Sequence, residues 1–256
     1  MPQKPLRAPW EANFPTVAIH VPKSEVSTHP WLAGARSGDV DAAALLVADT
    51  CAGAAVDWLA ELGRGSDPIL AAVLAQNADG LNVLAEVLAH GLHLLLGWEV
   101  DAELVQANAA DRAYLARPAL FAGAVQPGRA YVLVDDCIGR GVTLAMLRDH
   151  IVAGGGRVLG ATALAGDQTF PASATPGSPD HLGSRRLAVR DEPGLSVGAF
   201  VVALAPPEAG SDNGAFSAAH VERLRAAKRV IGERARAILM PRTAMPPPQH
   251  GFGTVP

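Results

Sequence analysis

Cysteine is nearly missing from this chain: Cys51 and Cys137 are the two present among 256 residues. Two thiols cannot build a disulfide scaffold or a four-cysteine zinc site, and they suit a reducing cytoplasm. An excess of positive charge is missing too. Lys plus Arg number 21 against 25 Asp plus Glu, a net charge of −4, so overall charge gives no grip on nucleic acid. Long apolar runs are also lacking. The most apolar stretch, Leu81 to Trp98, is interrupted by Asn82, Glu86, His90 and His93, whereas a bilayer-spanning helix needs roughly 20 apolar residues with few such breaks. The opening MPQKPLRAPWEANFP has no apolar core and does not read as a signal peptide. No membrane partner is expected, and no internal repeat is visible. What is present is globular: 49% apolar and 18% charged residues, in a chain long enough to bury a core.

Residues 1–36 are rich in Pro, lack periodicity and read as an arm with turns. Ser37-Gly38-Asp39 reads as a helix start, and the Ala-rich run Ala42 to Leu62 as one helix stopped at Gly63-Arg64-Gly65. Pro68 to Ala75 is short, apolar and suited to a strand buried on both faces. Leu81, Leu84, Ala85, Leu88, Leu92 and Leu95 recur at helical spacing, with Asn82, Glu86, His90 and His93 on the other side. Val100 to Gln106 reads as a strand, and Ala107 to Arg129 as a long loop of the kind that is often functional. Ala130 to Val134 is a third buried strand. Leu144, Leu147 and Ile151 mark a helix ended by Gly154-Gly155-Gly156, and Arg157 to Leu164 is a further strand. Strands alternating with helices predict a mainly parallel sheet flanked by helices, an α/β fold. Beyond Gly166 the chain turns irregular through residue 195. Val197 to Ala205 reads as a last strand, Ser217 to Met240 as a helix capped by Ser217, and the final residues as a disordered tail.

The most informative string is Val132-Leu133-Val134-Asp135-Asp136-Cys137-Ile138-Gly139-Arg140-Gly141-Val142-Thr143. A buried strand meets two carboxylates, then a turn with two glycines, then a Thr that opens a helix. Turn amides and a helix N-terminus favour a dianionic phosphate. The carboxylates can accept bonds from the vicinal hydroxyls of a ribose, directly or through magnesium-bound water. Ligands of open α/β sheets bind at the carboxyl ends of strands, where this turn lies.

This string resembles the phosphoribosyl-pyrophosphate (PRPP) motif of type I phosphoribosyltransferases. The flanks Phe121 to Arg129 and Leu144 to Arg148 are similar to a bacterial group of these proteins, and the resemblance covers roughly Asp67 to Gly166. It implies a type I phosphoribosyltransferase-like core at 67–166. Around it lie an N-terminal arm and helix at 1–66, a C-terminal extension at 167–240 and a tail at 241–256. It implies that Asp135 and Asp136 are the ribose-binding acids. Gly139, Arg140, Gly141, Val142 and Thr143 would form the phosphate loop. Asn77, Ala78, Asp79 and Gly80, within Ala75 to Asn82, would form the pyrophosphate loop. Arg112, Tyr114 and Arg117 would lie in the mobile loop that covers the reaction. The implied activity is transfer of a phosphoribosyl group between PRPP and a nitrogenous base, with Mg²⁺ as cofactor and small molecules as partners. The rival reading is a non-catalytic PRPP or nucleotide sensor. Symmetric dimers are common among soluble enzymes, which leaves a homodimer open.

Departures from the pattern are specific. Arg140 and Val142 stand where many members have Thr and Gly, Gln76 and Asn77 where acids are frequent, and Leu81 where an Arg is frequent. A lost cation weakens pyrophosphate binding, because charge-assisted bonds are the stronger kind. Gly139 replaces the carboxylate that 6-oxopurine enzymes carry near the base, which disfavours hypoxanthine or guanine as acceptor. Elsewhere, His90 and His93 could be named a metal pair, but the expected role is a solvated face. Cys137 reads as a small apolar residue behind the loop rather than a nucleophile. Arg223, Arg225, Lys228, Arg229, Arg234 and Arg236 read as the solvated side of a basic helix.

Overall fold

The computed structural model describes residues 14, 17–77, 80–109, 118–166, 173–174, 185–190, 199–205 and 215–242. In chain order the elements are β1 (Val17–Pro22), α1 (Lys23–Ser27), α2 (Leu32–Arg36), α3 (Val40–Thr50), α4 (Gly53–Leu62), β2 (Ile69–Ala72), β3 (Ala75–Asn77), β4 (Gly80–Asn82) and α5 (Leu84–Leu96). There follow β5 (Val105–Gln106), β6 (Phe121–Ala122), β7 (Ala130–Ile138), α6 (Val142–Ala153), β8 (Arg157–Gly166), β9 (Ser173–Ala174), β10 (Arg186–Val189), α7 (Ala218–Ile238) and β11 (Leu239–Arg242).

The main sheet has the order β2-β7-β8-β1-β9, and every neighbouring pair is parallel. Both of its faces are covered, which is why its strands are apolar on both sides rather than alternating. On one face Leu70, Val132, Val134 and Leu164 pack with Leu46, Val56 and Leu88 of α3, α4 and α5. On the other, Ile69, Tyr131, Leu133 and Ala163 pack with Leu144, Leu147 and Ile151 of α6. Each fully buried Leu or Ile contributes about 1.5–3 kcal/mol. The expected α/β fold with a mainly parallel sheet between helices is therefore present.

Several elements differ from the sequence reading. The stretch read as an arm holds β1, α1 and α2, and β1 lies inside the sheet between β8 and β9. The single helix expected over Ala42 to Leu62 is two. Asp39 caps α3 by accepting from Asp41 N and Ala42 N, but Cys51 and Ala52 take extended backbone angles, and α4 leaves at 88°. His20 of β1 holds this break. Its Nδ1 accepts from Ala52 N at 3.1 Å, and its Nε2 faces Thr162 Oγ1 at 3.2 Å, whose hydroxyl donates to Ala18 O. Burial lowers the His20 pKa to about 4, so the imidazole is neutral at pH 7.

The expected strand Val100 to Gln106 shrinks to β5, which pairs antiparallel with β6 inside the stretch read as a loop, outside the main sheet. Val201 makes an isolated bridge to Asp39 where a strand was expected; 191–198 lie outside the described residues. The tail begins later than expected, because β11 runs to Arg242 and pairs antiparallel with β10. Residues 243–256 lie outside the described set.

The expected basic helix is present as α7, with Ser217 Oγ accepting from His220 N at its start. Its charges, however, are not a solvated face. Arg234 donates to both carboxylate oxygens of buried Asp41 at 2.7 Å each. Lys228, 1% exposed, pairs with Glu86 at 3.3 Å and donates to Leu104 O at 3.0 Å. Arg225 pairs with Glu222 and Glu103. Glu86 and His90 of α5, read as solvated, are buried against α7 instead. Arg236 NH1 donates to His90 Nδ1 at 2.9 Å, which leaves the ring proton on Nε2, facing Glu86 Oε1 at 3.4 Å. Both ring nitrogens are thus engaged, and His93 Nδ1 bonds Trp98 O at 2.7 Å. No metal-ligand cluster occurs among the described residues.

Candidate functional site

The acid pair sits at the carboxyl edge of the parallel sheet. The strand was expected to end before Asp135, but β7 continues through both acids to Ile138, because β8 runs equally far: Asp135 aligns with Ala163 and Ile138 with Gly166. The carboxylates are therefore fixed by ladder hydrogen bonds rather than carried on a loop. Asp135 is buried, and its Oδ1 accepts from Asp136 N at 2.9 Å. Burial first, and then the adjacent Asp136 charge, hold its carboxyl well above the usual carboxylate range. Asp136 keeps a side-chain exposure of 17%. Its Oδ2 accepts from Asn82 Nδ2 at 2.9 Å and lies 3.8 Å from Arg36 NH2.

Beyond Ile138 the turn opens outward. Gly139 and Arg140 are exposed, and a Cβ at Gly139 would meet nothing within 4 Å. Gly141 is buried at φ +65°, in the left-handed region that a side chain disfavours, and it turns the chain straight into α6. Val142 and Thr143 are the first two residues of α6 and are half-buried. The stretch Gly139 to Thr143 therefore stands at the N-terminus of a 12-residue helix, beside the acids.

The stretch read as a pyrophosphate loop is the β3–β4 hairpin, with Asn77 opposite Gly80. Asn77 Oδ1 accepts from Gly80 N at 3.0 Å and closes the turn. Ala78 and Asp79 lie outside the described residues, as do Arg112, Tyr114 and Arg117. The hairpin is brought against the acid pair by Asn82, whose Oδ1 also accepts from Leu84 N at the start of α5. Two hairpin positions that departed from the family pattern point elsewhere. Leu81 is 1% exposed in the core. Gln76 is buried, its Oε1 accepting from His220 Nε2 at 2.6 Å and its Nε2 donating to Ala205 O at 3.4 Å.

Cys137 is no nucleophile here. Burial, then the Asp136 charge, push its thiol up to about 11. The site residues that sequence reasoning missed are Arg36 and Lys23. Asn82 ended the stretch matched to the pyrophosphate loop, but its side chain was also read on a solvated helix face, and its bond to Asp136 was not foreseen. Arg36 ends α2 and Lys23 begins α1, both in the segment read as an arm. A cation-bearing segment next to β1 carries no motif, and membership of β1 in the sheet is the signal that would have placed it.

No family model matches the chain. Over 164 residues, 62% of this chain, it is 34% identical to protein TraN of Escherichia coli. Over 153 residues, 57% of this chain, it is 29% identical to an uncharacterized protein of Haemophilus influenzae. The chain spans about a third of the length of these curated relatives, 36% and 34% respectively. Among solved structures it is similar to a purine phosphoribosyltransferase from Pyrococcus horikoshii, with a TM-score of 0.28, 18% identity, and coverage of 48% of this chain and 90% of that one. It is also similar to TT1426 from Thermus thermophilus, with a TM-score of 0.27, 19% identity, and coverage of 54% and 88%. The sheet order and the residues at its carboxyl edge, not these overlaps, carry the fold and the site.

Proposed function

We propose that this chain binds PRPP at the carboxyl edge of β7 and transfers its phosphoribosyl group to a nitrogenous acceptor, releasing pyrophosphate. The observation that carries the reading is the joining of Asp135 and Asp136, a left-handed Gly141 turn and the N-terminus of α6 in one continuous strand–turn–helix. Asp136 accepts hydrogen bonds from ribose hydroxyls. The amides of Gly139 to Thr143 hold the 5′-phosphate, helped by the helix dipole. Burial, and then the adjacent Asp136 charge, make Asp135 keep its proton to higher pH than a free Asp.

In the reaction the C1–O bond to pyrophosphate breaks, the C1–N bond forms, and the acceptor gives up its N–H proton. Positive charge grows at C1 in the transition state, and the fixed carboxylates stabilise it without reorganising. The donor set fits magnesium, a hard cation that takes carboxylate and water oxygens, and Asp136 is the residue that would hold it through water. The chemistry the ion would supply there is neutralisation of charge on the departing diphosphate.

A second reading, a PRPP or nucleotide sensor without turnover, is favoured by one observation: Leu81, at the position where an Arg is frequent, is committed to the interior, so the hairpin offers no cation there. The test is calorimetric titration with PRPP, with and without Mg²⁺, followed by an assay of pyrophosphate release across a panel of bases. Magnesium-dependent binding that disappears in Asp135→Asn/Asp136→Asn, with release of pyrophosphate, supports the transferase. Binding without release on any base supports the sensor. A folded wild-type chain that binds no PRPP removes both.

A further inference from the structure

We propose that Arg36 is the diphosphate-binding residue of this site, supplied by α2 in place of a cation on the hairpin, and that the site therefore selects a sugar phosphate carrying a diphosphate ester over the same sugar phosphate without it. The inference rests on the PRPP-binding reading above and extends it to a residue and a ligand group.

Position is the first support. Residues 35–37 run alongside the β3–β4 hairpin. Val83 N donates to Ala35 O at 3.2 Å, and Gly80 lies against Ser37. A Cβ at Gly80 would come within 3.1 Å of Ser37 Cα, and Gly80 sits at φ +139°, so both space and conformation require glycine for this approach. Arg36 is thus held on the hairpin as firmly as a hairpin residue would be. Leu81, in the hairpin itself, is turned into the core.

The second support is an incomplete contact. Arg36 NH2 stands 3.8 Å from Asp136 Oδ2, beyond hydrogen-bond distance, and its side chain is 43% exposed. That oxygen already accepts from Asn82. A guanidinium carries five donors in a planar fork that matches phosphate, and this ion pair uses none of them as a hydrogen bond. The same two residue types, Arg234 and Asp41, form a closed pair elsewhere in the molecule, with two bonds of 2.7 Å.

A second cation stands near. Lys23 is exposed directly after β1, and its charge and that of Arg36 both act on Cys137, the neighbour of the acid pair. The mouth of the site thus holds two carboxyl groups and two cations. Carboxylates suit the hydroxyls of a sugar, and cations suit an anion esterified to it. A ligand carrying both within one molecule suits this mouth, and a diphosphate offers the Arg36 guanidinium several oxygens.

The experiment compares wild type, Arg36→Gln, Arg36→Lys, Lys23→Gln and Asp136→Asn by calorimetry. Each is titrated with PRPP, ribose 5-phosphate and inorganic pyrophosphate, all with Mg²⁺, and folding is checked by thermal melting. We expect Arg36→Gln to lose at least tenfold in affinity for PRPP and pyrophosphate while ribose 5-phosphate changes less than twofold. Arg36→Lys recovers part of the loss, and Lys23→Gln shows a smaller loss of the same pattern. Asp136→Asn loses ribose 5-phosphate together with PRPP, which sets the effect of the acid apart from that of Arg36→Gln. Equal affinities for pyrophosphate in wild type and Arg36→Gln overturn the proposal and leave PRPP binding standing. So does a loss in Arg36→Gln that falls equally on ribose 5-phosphate, which would reduce Arg36 to a support for Asp136. A wild-type chain that binds none of the three probes overturns the function and this inference together.

Discussion

Two regions of this molecule place carboxylates out of full contact with water, and they treat them differently. Where α7 packs on α5 and α3, Glu86 of α5 meets Lys228 and the Nε2 edge of His90, and Asp41 of α3 meets Arg234 through two short bonds. At the edge of β7, Asp135 is buried beside another carboxylate, and Asp136 has one amide and a distant guanidinium. In the first region each carboxylate is answered by a cation with its own further contacts, and the result is a docked helix. In the second the charge is left partly unanswered, and holding two acids together raises the pKa of one of them. A fold tolerates such an arrangement at a cost of up to a few kcal/mol, and natural proteins tend to do so where a ligand completes the set.

The largest expected effect breaks the first region. Lys228→Met leaves Glu86 buried without its cation and costs about 3–5 kcal/mol in urea unfolding. Glu86→Leu/Lys228→Met should recover most of that loss, because an apolar pair replaces a buried ionic one at little cost. A single variant as stable as wild type would show that the buried pair contributes nothing to stability.

Acid titration sharpens the contrast between a well-partnered interior group and the acid pair. His20, with its folded pKa lowered to about 4 from 6.5, binds a proton more readily in the unfolded chain between those values. Stability therefore rises with pH through that window, by about 3 kcal/mol for this group. Asp135 has the opposite sign. Its folded pKa lies above the ordinary 3.8, so the native state holds the extra proton, and stability falls as pH rises above that value. Urea unfolding from pH 3.5 to 7.5 should show the rising slope vanish in His20→Gln and the falling slope vanish in Asp135→Asn. An unchanged profile in Asp135→Asn would mean that its proton is not shifted.

Smaller in energy, but decisive for function, is the double substitution Asp135→Asn/Asp136→Asn. It should weaken PRPP binding by roughly a hundredfold, about 2.7 kcal/mol, without lowering the urea midpoint. Concerted loss of binding and stability would make the acids a structural pair like Asp41 and Arg234. The smallest effect belongs to an exposed pair. Arg185 NH1 lies 3.2 Å from Asp57, both side chains being about two-fifths exposed. Arg185→Ala should cost under about 1 kcal/mol by the same unfolding measurement.

What could be read directly from the sequence was whatever is local. Asp135-Asp136 after an apolar run, and Gly141 before a helix, are signals contained within a dozen residues, and they lie where expected. The amphipathic spacing of Leu81 to Leu95 likewise marked α5, although the helix starts at Leu84 and Leu81 belongs to β4. What escaped is whatever depends on distant partners. Glu86 and His90 looked solvated because the groups that bury them are on α7; His90 and Arg236 are 146 residues apart. β1 escaped because VAIHVP lies in a Pro-rich stretch and carries a histidine at its middle, and its acceptability comes from Thr162 and Ala52. Arg36 escaped with β1, since both lie in the stretch read as an arm. The kink at Cys51 and Ala52 has only Gly53 beside it, a glycine easily passed over in an Ala-rich run.

The placement of β1 also sets an order of events in time. Its register joins Ala18 to Thr162, with a hydroxyl bond across 144 residues of chain. At about 5–20 residues per second of synthesis, an emerging β1 waits at least several seconds before the strand it pairs with exists. Contacts of this range also slow refolding, because the closure of a long loop precedes any gain from pairing. During that wait VAIHVP is an unpaired apolar strand. The α2 segment behind it meets its hairpin partners, Val83 and Gly80, within the first third of the chain. Lys23, directly after β1, and the acid pair, aligned with β8, reach their final places only once β8 exists, so a newly made chain would bring Arg36 to the hairpin before it completes the mouth around it.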